Sequence, residues 1–246
     1  MVDKELFFEA RDKMNAKAKG EDGIGTLREK SVHATLKFYF APNDKNHEVK
    51  IGDYVADVCI DGEIFEIQTR QFYSMKKKLS YYLEEGYDVT VVYPVKEKNT
   101  IVWIDRESGE LKEGRAVTNK RKVNVFFREL YGIRDFIDNP LIHFVIVKLE
   151  TKDYRFLDGF GKDKKIRATK TDIYPVDIID EIRIDSIDEL CLMLPKNLPN
   201  EFDLKTYAGL MGLNLNDANM SLLIFERLGV FTREKSGRKN IYKKVL

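Results

Sequence analysis

A mixed α/β sheet flanked by helices, followed by a C-terminal helix-turn-helix and β-hairpin, is the fold class predicted by this 246-residue sequence. Three observations carry it. Residues 3–104 read in the order helix, helix, three strands, helix, two strands. Residues 88–95 are almost continuously apolar, as in a strand buried within a sheet. Beyond Ser186, three helices with caps of their own and then a hairpin arrive in order.

Composition bounds the rest. The chain is 43% hydrophobic, enough for a real core, and 34% charged. No apolar run approaches the roughly 18–20 residues that cross a bilayer. Met1-Val2-Asp3-Lys4-Glu5 is charged and leads into a helix-like pattern, so no signal peptide is expected. Cys59 and Cys191 form no CxxC pair, so neither a zinc site nor a disulfide framework is expected, and a reducing, cytoplasmic location fits. The length exceeds the usual single domain. The expected division is 1–114 as α/β core, 115–184 as connecting α+β region and 185–246 as C-terminal module.

The elements follow in order. Residues 3–18 form a helix, which Gly23 and Gly25 end. Thr26-Leu27-Arg28-Glu29 is a capping box opening a second helix, which runs to about Phe40 and stops before Pro42. Strands are expected over 47–51, 54–60 and 63–70, a helix over 72–85 closed by Gly86, and strands over 88–95 and 100–104. Residues 141–149 read as a buried strand and 155–170 as a basic loop. Ser186-Ile187-Asp188-Glu189 is a second capping box, for a helix ending at Pro195.

The most informative stretch is 54–70. Asp61-Gly62 between two β-rich runs predicts a two-residue type I′ hairpin. That turn pairs Ile60 with Glu63, Cys59 with Ile64, Val58 with Phe65 and Asp57 with Glu66. Alternation puts Asp57, Cys59, Ile64, Glu66, Gln68 and Arg70 on one face and Ala56, Val58, Phe65 and Ile67 on the core face. Opposed carboxylates on adjacent strands repel, unless a hard cation lies between them. Mg²⁺ suits such a place, because it takes oxygen ligands at about 2.0–2.1 Å and is held by one or two carboxylates plus substrate phosphate. A pair of hydrated, solvent-facing strands is the plainer alternative.

Asp57 followed by Glu66-Ile67-Gln68, set between helices in this strand order, resembles the PD-(D/E)XK nuclease superfamily over residues 24–95, and implies a restriction-endonuclease-like sheet. The resemblance implies Mg²⁺ or Mn²⁺ held by Asp57, Glu66 and the Ile67 carbonyl, with Glu29 assisting. Gln68 stands where the family's lysine usually lies. It can orient a water but carries no charge and is no base, while Arg70 can supply a cation on the same face. Glu29 reads equally as the end of its capping box, and His33, one turn later, as a structural residue or a contact to the site. The activity implied is a metal-dependent DNA endonuclease; the alternative is a catalytically inactive DNA-binding protein with the same fold.

Charge asymmetry points to the other end. Residues 232–246 hold Arg233, Lys235, Arg238, Lys239, Lys243 and Lys244 against Glu234 alone, in a chain of net +1. Asp203 caps a short helix stopped by Gly212, Asn214 or Asn216 caps a longer one closed by Gly229, and strands flank Ser236-Gly237. The whole resembles a winged-helix domain over 185–246. Arg233, Lys235, Arg238 and Lys239 on the wing are the expected phosphate contacts, and Asn216, Asp217, Asn219 and Ser221 the exposed start of the recognition helix. Lys77, among Lys76–Lys78, and the basic positions Lys162, Lys164, Lys165, Arg167 and Lys170 are further candidates. DNA is the expected partner, a homodimer the expected assembly if there is one. Winged helices also serve as protein-interaction modules, which keeps that class open.

Overall fold

The computed structural model describes residues 2–20, 30–156, 168–237 and 239–245. Thr26 and Glu29, the basic positions Lys162, Lys164, Lys165 and Arg167, and Arg238 lie outside the described residues.

The elements are α1 (Lys4–Gly20), α2 (Ser31–Phe40), β1 (His47–Ile51), β2 (Tyr54–Ile60), β3 (Glu63–Ile67), α3 (Lys76–Glu84), β4 (Asp88–Ile104), β5 (Leu111–Glu113), β6 (Val117–Thr118), α4 (Phe126–Tyr131), β7 (Ile142–Phe156), β8 (Thr169–Ile184), α5 (Ile187–Cys191), β9 (Glu201–Asp203), α6 (Leu204–Met211), α7 (Leu215–Arg227), β10 (Phe231–Ser236) and β11 (Lys239–Lys244). One sheet has the order β1-β2-β3-β4-β7-β8, with β5 and β6 also pairing β4, and a second has the order β10-β11-β9. The expected mixed α/β architecture, a large mixed sheet flanked by helices, is what the chain adopts. Among the described residues no helix is long and apolar enough to cross a membrane.

Several boundaries depart from expectation. Residues 88–104 form one strand rather than two. Lys96 and Lys98 look like a polar break in the sequence, but Asp153 and Glu150 of β7 answer their charges at 2.9 Å each. The third strand stops at Ile67, because the Gln68 N–H turns to the Val92 carbonyl at 2.9 Å and Gln71 then takes φ 61°. A single 3-10 turn, Phe72–Met75, precedes α3. Strand β7 runs on to Phe156, into the segment expected as a loop. Helix α5 ends at Cys191, short of Pro195. Strand β9 had no sequence expectation.

The chain divides into two compact units: Met1–Ile67, Pro94–Lys120 and Ile146–Glu181, and Gln68–Tyr93, Arg121–Val145 and Ile182–Leu246. In the first, α1 buries Phe7, Ala10 and Met14, with Phe7 edge-on to Tyr39 of α2. Arg11 donates to the Val176 carbonyl at 2.6 Å and Lys4 pairs with Asp177, which fixes α1 to β8. Lys30 at the α2 N-cap makes no side-chain cap bond. Instead the Asp172 carboxylate of β8 accepts the Ser31 N–H and hydroxyl, putting negative charge at the positive end of the helix.

In the second unit an aromatic chain forms the core. Phe72 meets Phe126, Phe126 meets Phe144, Phe127 meets Phe225, and Phe225 meets Phe231. Residues 185–246 thus fall within a unit that also holds 68–93 and 121–145. Asp203 and Asn214 cap α6 and α7 as expected, through the Thr206 and Asp217 N–H groups, and Gly212 ends α6 at φ 65°.

Candidate functional site

The hairpin register follows from its turn. Asp61 at φ 50° and Gly62 at φ 90° both lie in the left-handed region that a type I′ turn needs. They set Ile60 opposite Glu63, Cys59 opposite Ile64 and Val58 opposite Phe65, as predicted. One residue further on, Asp57 takes a different role. Its Oδ2 accepts the Ile67 N–H at 2.8 Å and lies 3.1 Å from His33 Nε2 on α2. His33 and Asp57 are each about three-quarters covered at the side chain. Glu66 is 4% exposed. The first unit therefore brings Asp57, His33 and the Ile67 backbone together, with Glu66 next along β3. Phe40 stacked on Phe65 at 5.0 Å holds the end of α2 against the same hairpin.

Among the described residues no group of three or more His, Cys, Asp or Glu side chains is arranged to hold a metal ion. A magnesium ion needs fewer protein carboxylates than that, because waters and phosphate complete its shell. Asp57, Glu66 and the Ile67 carbonyl are hard oxygen donors and suit it in kind. Glu29, the fourth candidate, lies outside the described residues. Burial raises the Cys59 and Cys191 thiols, so neither is poised as a nucleophile. His47 is spent on the Ala41 carbonyl at 2.8 Å.

In the second unit Gln68 is half-buried and its backbone is held by Val92, while Arg70 and Lys77 are exposed. Three residues after Gln68, the Gln71 N–H donates to the Glu129 carboxylate of α4. Arg128 lies 3.3 Å from Glu129 and 3.9 Å from Asp217 of α7. Burial, helped by the Glu129 carboxylate, pushes the Tyr93 hydroxyl up to about 12. Sequence reasoning missed this cluster. Glu129 in Phe-Phe-Arg-Glu-Leu reads locally as one charge on a short helix, and nothing local marks its partners.

The C-terminal cations are less available than the sequence suggests. Arg233 pairs with Glu226 at 3.1 Å, Lys239 with Asp203 at 3.6 Å, and Lys243 with Glu234 and Glu201 at 3.0 and 3.4 Å. Strand β9 supplies two of those carboxylates, which sequence distance hid. Lys235 is exposed at the hairpin edge. The expected exposed start of α7 needs correction. Asp217 and Ser221 are buried, Asp217 beside Arg128 and Ser221 against the Tyr207 hydroxyl at 2.6 Å. Asn216 is exposed as expected and Asn219 is half-covered, with Met220 and Leu223 also half-covered and Arg227 exposed at the far end.

These features define a mixed α/β protein with a carboxylate hairpin under α2 and a helical, three-stranded C-terminal segment. The chain belongs to the family described as Domain of unknown function (DUF8091), whose match spans residues 30–185. That span takes in α2 through β8. An uncharacterized protein of Treponema pallidum (strain Nichols) is 28% identical over 225 residues, covering 90% of this chain and 87% of that protein. An alignment of that length reaches into α7 wherever it starts, so the similarity extends past the family match. No solved structure matches.

Proposed function

We propose that this chain is a Mg²⁺-dependent, nuclease-like DNA-processing protein, with a restriction-endonuclease-like sheet and a C-terminal winged helix. The observation that carries the reading is the Asp57 carboxylate seated on the Ile67 backbone, in a hairpin whose observed pairs run toward Asp57 and Glu66. Asp57, Glu66 and the Ile67 carbonyl would hold the ion, which when bound polarises a phosphodiester and lowers the pKa of a water. His33 fixes the Asp57 carboxylate and is the imidazole best placed to take up a proton there. Gln68 can orient a water by hydrogen bonding but cannot deprotonate it. The winged-helix reading rests on the order helix, strand, helix, helix, hairpin, with β11 between β10 and β9. Lys235, with Arg233 and Lys239 once their carboxylates let go, would contact phosphate.

A second reading has an observation of its own. Asp57 Oδ2 already has two partners, and Gln68 replaces a lysine, which favours a DNA-binding protein that has lost cleavage. Labelled duplex, flap and junction DNA, incubated with Mg²⁺, Mn²⁺, Ca²⁺ or EDTA, separates the two. Cleavage with Mg²⁺ or Mn²⁺ is expected, falling by roughly 100-fold or more in Asp57→Ala and Glu66→Ala while a salt-sensitive gel shift persists. Binding without cleavage by the wild type would leave the second reading, and no salt-sensitive binding would remove both.

A further inference from the structure

Non-glycine residues rarely hold a positive φ, which is strained unless the surroundings enforce it. Among the described residues three do so. Asp61 belongs to the hairpin turn, and Glu48 has its carboxylate on the Lys37 ammonium at 3.0 Å. Gln71, at φ 61°, has no turn sequence to account for it. What it has is Glu129. The Gln71 N–H donates to the carboxylate of Glu129, a buried residue whose side chain also lies 3.3 Å from Arg128.

The neighbourhood over-determines the same backbone. Phe72 is fully buried against Tyr93 and Phe126. A Cβ on Gly132 would come within 3.0 Å of the Tyr73 nitrogen, so the chain after Gln71 lies directly on the end of α4. On the other side α4 is tied to the C-terminal helices. Phe127 packs on Phe225 at 5.3 Å, Asn124 donates to the Met211 carbonyl at 2.6 Å, and Arg128 reaches Asp217. Helix α4 therefore has one end on the segment that carries Gln68 and Arg70 and one side on α7, while Asn124 just before it bonds the end of α6.

We propose that Glu129 is a positioning residue, which holds the Gln68–Gln71 segment through the Gln71 N–H and, through Arg128 and Asp217, makes its geometry depend on α7. Gln68 is fixed at one end of the segment by Val92 and Gln71 at the other by Glu129, with Thr69 and Arg70 exposed between them. The functional weight of that segment rests on the nuclease-like reading; the mechanical link does not.

Amide hydrogen exchange of the full chain, read over residues 68–75, tests the link without any activity. Glu129→Ala is expected to speed exchange there at least tenfold. Glu129→Gln, whose side-chain carbonyl still accepts, is expected to restore most of the protection. Asp217→Asn, two helices away, is expected to speed exchange over the same residues several-fold, with less change in β1–β3. Unchanged exchange over 68–75 in Glu129→Ala, or in Asp217→Asn, overturns the proposal. If Glu129→Ala fails to fold, the contrast between Glu129→Gln and Asp217→Asn decides it. Cleavage assays on the same proteins report separately: a wild type that exchanges as expected but cuts no DNA sinks the nuclease reading alone.

Discussion

Gly62 shows how much a single residue fixes. Its φ of 90° is outside the range an L side chain adopts easily, and a Cβ there would meet nothing within 4 Å. Gly62→Ala should therefore destabilise by about 1–2 kcal/mol through backbone conformation alone. A lower urea midpoint at constant slope is the check, and an unchanged midpoint would mean the turn is not the constraint described. That dipeptide made the register legible, because a two-residue turn leaves one pairing. The end of the hairpin was not legible in the same way. Opposition of Asp57 and Glu66 is the next step of the same register by strand counting, but that the Asp57 carboxylate takes the Ile67 N–H and a histidine from α2 is written nowhere in that count. Strand periodicity says which face a side chain leaves from; it does not say which backbone group it then finds. Glu129 is the harder case, because its meaning lies in Gln71, 58 residues earlier.

At the scale of elements, caps carried most of the reliable information. Ser186, Asp203 and Asn214 all accept the N–H groups expected of N-caps, since capping is a bond to the third residue on and needs no tertiary knowledge. Asp203→Ala should cost about 1 kcal/mol for that reason, visible as a lower melting temperature. The Thr206 N–H, with its hydroxyl and Lys239, holds the Asp203 carboxyl below its ordinary value of 3.8. A depressed folded pKa gives stability that is present above about pH 4 and is lost as the pH falls through the lower folded value. Asp203→Ala should accordingly weaken the acid-side decline between wild type and variant, and parallel acid curves would contradict the cap. Elements held by distant charges were misjudged. Strand β4 was split at Lys96 and Lys98 because the carboxylates that let those lysines lie in a strand belong to β7. Helix α2 borrows its cap from Asp172 in the same way.

For the whole molecule, the question is whether residues 185–246 stand alone. The sequence suggested that they do, because three capped helices and a hairpin look complete. Packing in the second unit argues otherwise. Phe127 of α4 is fully buried and meets Phe225. The side chain of Arg121 lies so close over Gly212 that a Cβ there would run into its Cδ, and Asn124 bonds the Met211 carbonyl. Arg227 of α7 comes within 3.8 Å of both Asp135 and Asp138. Phe127→Ala in the full chain should therefore cost about 3–5 kcal/mol, the range for a buried phenyl ring. A fragment ending at residue 184 loses Phe225 and the rest of α7, leaving the Phe127 ring with exposed surface that must find water or a second molecule. It should bind a hydrophobic dye and lose protection over 68–93 and 121–145. The hairpin of β2 and β3, whose partners α2 and β1 are in the other unit, should keep its protection. An independent C-terminal module predicts the opposite result, a fragment 1–184 with the same exchange pattern as the full chain and a Phe127→Ala variant of nearly unchanged stability.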